Sequence, residues 1–275
     1  MMQVKKLEVV MPIARLTPYT SDAISSIYHQ SLQSFSLCYV VYENSYAELV
    51  ELLDSLSEYK PTGIDERFIV SKICCLSFQL NLAINSSEAT FLARMDADDI
   101  SLSNRLLTQL QYLEDHDDIS VVGCKVILIN NMGEKFRNFP FFKTAKMIRN
   151  VLPFFNPMCH PALMFRTSAL RSIGGYRYGR IHEDHDLFLD LTNSGFMMCN
   201  IPNVLFYYRR HPNQLTNVRN SWLSFASSTS IYVFWMLRTL NPFFVFGIIY
   251  SFPLFRRIRT YMGSLFPKFT KLVSS

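Results

Sequence analysis

Two of the short stretches in which this sequence crowds carboxylates together are candidates for a chemical role. Asp96-Ala97-Asp98-Asp99 places three acids within four residues, directly after an apolar run, and Glu183-Asp184-His185-Asp186 repeats that density later in the chain. Acids so close repel one another unless a cation or a donor offsets the charge. At 96–99 an all-oxygen donor set suits Mg²⁺ or Mn²⁺, which keep waters and bind substrate phosphates beside one or two carboxylates. The alternative at both stretches is a helix start, where acids complement the backbone dipole without any ion. Residue type alone leaves both readings open.

Nearby cations and histidines carry similar pairs of readings. Arg94 either steadies a nucleotide or pairs with Asp96 or Asp99. His211, in Arg209-Arg210-His211, either reaches a metal or diphosphate or is an exposed loop histidine. His160, before Pro161, serves an acceptor side or a turn. The six cysteines show no CxxC pair and no Cys/His zinc spacing, so they read as reduced core thiols.

The elements that must position these residues alternate. Apolar runs at 7–11, 37–41, 68–70 and 90–95 read as strands, and helical periodicity at 22–33, 47–58 and 76–85 separates them. Such alternation predicts βαβ units and a mostly parallel sheet flanked by helices, an α/β fold. Ligands in such sheets gather beyond the carboxyl ends of the strands, where Glu43-Asn44-Ser45 and Asp96 to Asp99 fall. A helix carrying Leu102, Leu106, Leu110 and Leu113 follows, with Ser101 or Ser103 as its expected cap. Further strands are expected at 121–122, 126–129, 162–165 and 204–208, with a turn at 130–133, a short helix ending at Gly174-Gly175 and a helix at 184–193.

The blocks Ala93-Arg94-Met95-Asp96-Ala97-Asp98-Asp99, Asn104-Arg105, His160-Pro161-Ala162-Leu163, Gly174-Gly175-Tyr176, Glu183-Asp184-His185-Asp186 and Tyr207-Tyr208-Arg209-Arg210-His211-Pro212-Asn213-Gln214 resemble, in order, the family 2 glycosyltransferases. The likeness is to the branch that builds bacterial polysaccharides and O-antigens, and it covers roughly residues 7 to 216. It implies the Rossmann-like GT-A fold and an inverting transfer from a nucleotide-diphosphate sugar, a UDP-sugar foremost, to a glycan or lipid-linked glycan. It implies a DxD motif at Asp96 and Asp98, with Asp98 as the direct ligand of Mn²⁺ or Mg²⁺ and His211 as a further candidate. It implies Pro12, Glu43, Arg94 and Asp96 on the donor side, Asp184 as the catalytic base, and Glu183 and His160 on the acceptor side. Departures from the family pattern cluster around the nucleotide pocket, at Ile13-Ala14-Arg15, Tyr42-Glu43-Asn44-Ser45 and Ser71-Lys72-Ile73-Cys74-Cys75.

Charge divides the chain. No acid follows Asp190, whereas nine of the 27 basic residues do, so a body of net −4 precedes a segment of net +9. The uncharged run 239–255 has 17 residues and two prolines, at the lower limit for crossing a bilayer. Helices at 231–240 and 243–254, followed by Arg256, Arg257, Arg259, Lys268 and Lys271, read as an interfacial segment among anionic headgroups. The alternative is a hairpin packed on the body. The expected division is a GT-A domain at 1–220 and a helical, membrane-associating tail at 221–275, with no export signal and hence a cytoplasmic, peripheral location.

Two other classes compete. A sugar nucleotidyltransferase would share the strand-end carboxylates but needs a Gly-rich, basic N-terminal loop that residues 11–20 lack. A membrane-recruited nucleotide-sugar-binding protein without catalysis fits poorly with an intact Asp98 and Asp184. The basic tail carries no stacking or groove-reading motif for nucleic acid.

Overall fold

The computed structural model describes residues 5–177, 181–212, 214 and 221–253. The basic cluster at 256–271 and Asn213 of the late motif lie outside them, as does Leu254 of the second expected tail helix.

β1 (Leu7–Ile13), α1 (Thr20–Tyr28), β2 (Phe35–Tyr42), α2 (Tyr46–Ser55), β3 (Ile64–Ser71), α3 (Leu76–Ser86) and β4 (Phe91–Arg94) form the alternating first part. β1 pairs with β2 and β4, and β2 with β3, all in parallel. β1 is buried along its whole length because helices cover both sheet faces. Its side chains alternate accordingly: Leu7, Val9, Met11 and Ile13 enter one core with α1 and α2, while Val10 enters the other with α3.

The second part is mixed. It comprises β5 (Ile100–Ser101), α4 (Arg105–Asp115), β6 (Ile119–Ile129), β7 (Lys135–Asn138), α5 (Ala145–Val151), β8 (Met164–Arg166), α6 (Thr167–Ser172), α7 (Glu183–Asn193) and β9 (Met197–Arg209). The nine-stranded sheet runs β3-β2-β1-β4-β8-β6-β9-β5, with β7 on β6. β8 pairs antiparallel with both β4 and β6, whereas β6 and β9 are parallel.

Several expected boundaries move. The apolar runs 121–122 and 126–129 are one strand, β6. The cap of α4 falls at Asn104, not at Ser101 or Ser103. Ser101 is drawn into β5 against Phe206, and its hydroxyl accepts a hydrogen bond from Arg105 Nε at 2.7 Å. β8 starts two residues after the expected 162, because His160–Ala162 form a 3₁₀ turn with Pro161 inside it. α6 closes as expected, with Gly174 and Gly175 at φ 79° and 75°, a backbone region open to glycine at little cost.

The C-terminal segment forms α8 (Ser221–Thr239) and α9 (Phe244–Ser251), a longer first helix and a shorter second than the sequence suggests. Tyr232, Trp235 and Phe244 are buried in the core that α3, α6 and α7 share. Among the described residues no helix is long and apolar enough to cross a membrane.

Candidate active site

The parallel pairing of β1, β2 and β4 brings their carboxyl ends to one edge. Val10 lies opposite Arg94, and Pro12 opposite Val40, so Pro12 and the acids after Arg94 leave the sheet side by side. Pro12 is buried. Beyond β2, Glu43–Ser45 turn as a 3₁₀ segment in which Ser45 Oγ donates to Ala14 O at 3.1 Å and Glu43 is exposed.

Oxygens of Asp96, Asp98 and Asp99 lie within 4.8 Å of one another. Each acid has a different neighbour. Asp96 Oδ1 accepts from Arg94 Nη2 at 2.6 Å, Asp98 Oδ2 is 2.8 Å from His211 Nε2, and Asp99 Oδ1 accepts from Arg209 N at 2.8 Å. Burial pushes the Asp99 carboxyl well up, and the charges of Asp98 and Asp96 add to that push. Asp98 is also raised, by burial and then by Asp96, with His211 opposing. Asp99 Oδ2 has no hydrogen-bond partner among the described residues. Raised carboxyls and an unpaired buried oxygen are the signs of a site short of positive charge. The donor set fits a hard divalent cation held by Asp98 and Asp96, with His211 beside them.

Arg94 is only 4% exposed. Burial opposes its charge, but Asp96 and then Tyr176 and Asp99 outweigh that and hold the guanidinium protonated. Its Nε and Nη1 find no partner among the described residues, so an ion pair accounts for one nitrogen only. His160 is buried too, its Nε2 2.6 Å from the Tyr176 hydroxyl. Burial, followed by the charge of Arg94, pushes its pKa well down, so it is neutral.

Arg209, which neither its type nor its spacing in the sequence singles out, packs against the site. Its guanidinium stacks over the Tyr19 ring at 4.4 Å, and its Nε donates to Asp98 O at 2.9 Å. Tyr19 also lies 5.1 Å, ring to ring, from His211. β9 thus delivers Arg209 and His211 to the far side of the acid cluster.

The second acid stretch opens α7. His182 caps it in the left-handed region, at φ 65°, which turns the chain sharply into the helix. Asp184 Oδ1 accepts from His185 N at 2.8 Å, and its Oδ2 accepts from Asn156 Nδ2 at 2.6 Å. Burial, with Asp184 adding, raises Glu183 to about 7, and Arg94 and Asp96 are close enough for their charges to act on it. Asp186 turns inward to Arg177 and Trp235. This is not a solvated helix end, since Glu183 and Asp184 are half-buried and Asp186 is buried. Asn156 was invisible in sequence, because a lone Asn in an aromatic loop carries no periodic or motif signal.

The strand-end carboxylates and the acids that open α7 thus lie near one another, close enough for the charge of Asp96 to act on Glu183. No family model matches the chain. It is 32% identical over 241 residues to the O-antigen biosynthesis glycosyltransferase WbnJ of Escherichia coli, covering 86% of this chain and 92% of that one. It is 26% identical to the E. coli UDP-Gal:alpha-D-GlcNAc-diphosphoundecaprenol beta-1,3-galactosyltransferase, over 68% of this chain and 67% of the relative. Among solved structures, Staphylococcus aureus TarS 1–349 with UDP-GlcNAc superposes with a TM-score of 0.68 at 14% identity, covering 94% and 75% of the two chains. The mannosyltransferase PcManGT of Pyrobaculum calidifontis with GDP-Man and Mn²⁺ gives 0.61 at 14% identity, covering 91% and 70%. The chain belongs to the glycosyltransferases of O-antigen and polysaccharide biosynthesis, on a GT-A-like fold.

Proposed function

We propose that this chain is an inverting family 2 glycosyltransferase that moves a sugar from a UDP-sugar onto a glycan or lipid-linked glycan, with Mn²⁺ or Mg²⁺, at the cytoplasmic face of a membrane. The observation that carries the reading is the three-carboxylate cluster of Asp96, Asp98 and Asp99 at the strand ends. The names of WbnJ and the E. coli galactosyltransferase favour a glycan or lipid-linked acceptor. The bound UDP-GlcNAc of TarS and the Mn²⁺ of PcManGT favour the donor class and the ion.

Asp98 and Asp96 would hold the cation, which when bound offsets the charge of the departing diphosphate. Pro12 and Glu43 line the base and ribose side of the donor. Arg94 keeps two nitrogens, Nε and Nη1, without a partner among the described residues and would bind donor oxygens through them. Asp184 accepts the proton of the acceptor hydroxyl as its oxygen bonds to the sugar carbon, and the bond to the nucleoside diphosphate breaks on the opposite face. The Asn156 bond and the His185 amide fix which carboxylate lobe is free to take that proton. Glu183 and His160 border the acceptor side, His160 acting through Tyr176.

Residues 1–220 would be the catalytic domain and 221–275 the membrane-facing tail. Trp222, Leu223, Phe234, Leu237, Leu240 and Phe243 are exposed on α8 and its link to α9, in a segment with no acid. Aromatic and aliphatic groups with neighbouring cations suit a headgroup boundary.

The deciding experiment screens nucleotide sugars for Mn²⁺-dependent release of nucleoside diphosphate and transfer to a lipid-linked acceptor. Asp98→Ala should abolish both the transfer and the metal-enhanced binding of UDP. Full activity in EDTA, or in that variant, would sink the metal reading. Co-sedimentation with anionic liposomes checks the tail, and a chain that stays in the supernatant at low salt has no interfacial role there.

A further inference from the structure

Among the described residues Asp184 has two polar partners, the Asn156 side chain and the His185 amide. Both belong to segments gripped by the α8–α9 hairpin. Ser224, Ser227, Ile231, Tyr232 and Trp235 recur at helical spacing, so one stripe of α8 faces inward. Along that stripe His182 Nε2 lies 3.0 Å from Ser224 Oγ, and Ser227 Oγ donates to Ile181 O at 2.9 Å. Trp235, wholly buried, donates from Nε1 to Asp186 Oδ1 at 2.8 Å. The turn into α7 and its first turn are therefore tied to α8 on either side of Asp184.

The Asn156 loop is held by the same hairpin. Tyr232 OH donates to Phe154 O at 3.0 Å, and the Tyr232 ring meets His185 edge-on at 5.4 Å. A Cβ at Gly247 of α9 would lie 2.2 Å from Pro153 O, so the α9 backbone runs directly against this loop. Arg177 locks the assembly. It bonds both Asp186 and Asp190 of α7, and its guanidinium lies 5.0 and 5.2 Å from the Phe234 and Trp235 rings. The Trp235 and Tyr232 hydrogen bonds are buried and part-buried, where a hydrogen bond fixes geometry better than it does in water.

We propose that the α8–α9 hairpin is a working part of the catalytic centre, with Trp235 and Tyr232 as positioning residues that hold Asp184 from behind through α7 and the Asn156 loop. The inference rests on the reading of Asp184 as base. It differs from a tail that only concentrates the enzyme at a surface, because it places the hairpin's effect on turnover of every acceptor, soluble ones included.

Trp235→Phe removes the Nε1–H donor and keeps an aromatic filler. Tyr232→Phe removes only the hydroxyl, and it carries the test if the first variant does not fold. In full-length protein, kcat for a soluble acceptor, donor KM, UDP binding with Mn²⁺ and Tm are measured in the wild-type and Asp184→Asn backgrounds. Each variant should lose kcat by on the order of 10–100-fold, the scale of a displaced catalytic group. Donor KM and UDP binding should stay within about twofold, and the loss should largely vanish in the Asp184→Asn background, since residues acting through one group are non-additive. Unchanged kcat in both variants, while Asp184→Asn alone is inactive, overturns the positioning role and leaves the base reading intact. An equal loss in both backgrounds, with weakened UDP binding, marks a fold defect and overturns it too. Full transfer by Asp184→Asn would remove the base reading, and this inference with it.

Discussion

The acid clusters at 96–99 and at 183–186 each place three acids within four residues, and the fold treats the two sets differently. The first gathers its oxygens within 4.8 Å, with Arg94, His211 and Arg209 around the rim and one buried oxygen without a partner among the described residues. The second is dispersed by its helix. Asp186 turns into the core, Asp184 faces the Asn156 loop, and Glu183 is left in a half-buried position that raises it to about 7. Converging carboxylates ask for a cation, while carboxylates separated by helical geometry acquire individual proton affinities. Composition is shared; environment assigns the chemistry.

The hardest break in that contrast is on the helix-borne side. Asp184→Asn keeps shape and the Asn156 contact region but removes the proposed proton acceptor, so kcat should fall by roughly 10²–10⁴ while UDP binding in Mn²⁺ is retained. Equal losses in binding and turnover would place Asp184 with the first set instead. On the strand-end side, His211→Ala should raise the Mn²⁺ concentration for half-maximal activity by about 10–100-fold, the usual cost of losing a partner that orients a ligand. A Mn²⁺ titration that does not move would show that Asp98 needs no help from His211.

How much of this was legible in sequence follows from which contacts are local. β1, β2 and β4 are apolar runs, so those strands and the sheet edge that carries Pro12, Glu43 and Asp96 were readable; β3 was readable only at 68–70, because Asp65, Glu66 and Arg67 interrupt its first half. β7 was not, because all four of its residues are exposed and show no alternation. α5 has a single buried residue, Ile148, and hence no stripe. The antiparallel insertion of β8 between β4 and β6 is a non-local pairing that no local pattern encodes. At the site, spacing identified the acids but not their partners. Asn156 is 28 residues from Asp184, and Trp235 is 49 from Asp186. The sequence also suggested a tail, and the same aromatics that prompted it turn out to divide between an exposed face and a buried one, with Trp235 and Tyr232 inside.

A smaller effect is expected where the donor side meets solvent. Glu43 is exposed on the turn after β2, so Glu43→Ala should cost about 1 kcal/mol of donor binding, roughly a fivefold rise in donor KM, with kcat intact. Steady-state kinetics over a range of UDP-sugar concentrations resolve this. A fall in kcat at saturating donor would move Glu43 out of the binding role and into the transition state.

The smallest change concerns stability, and it separates the two acid sets without any substrate. Burial, and then Asp184, lift Glu183 from its ordinary 4.5 to about 7 in the folded protein. Below pH 4.5 the group is protonated whether the chain is folded or not, and its neutral form carries no burial cost. Between 4.5 and 7 the unfolded chain loses this proton while the folded one keeps it, so stability from this group declines as pH rises and is lost above about 7. Glu183→Gln has no proton to lose. The variant's Tm should match wild type near pH 4.5 and exceed it by a few degrees at pH 8, with no nucleotide or metal present. Titrating groups that do not interact with Glu183 cancel in that difference. A Tm gap that stays constant from pH 4.5 to 8 would mean that the folded protein offsets the Glu183 charge, as Arg94 does for Asp96.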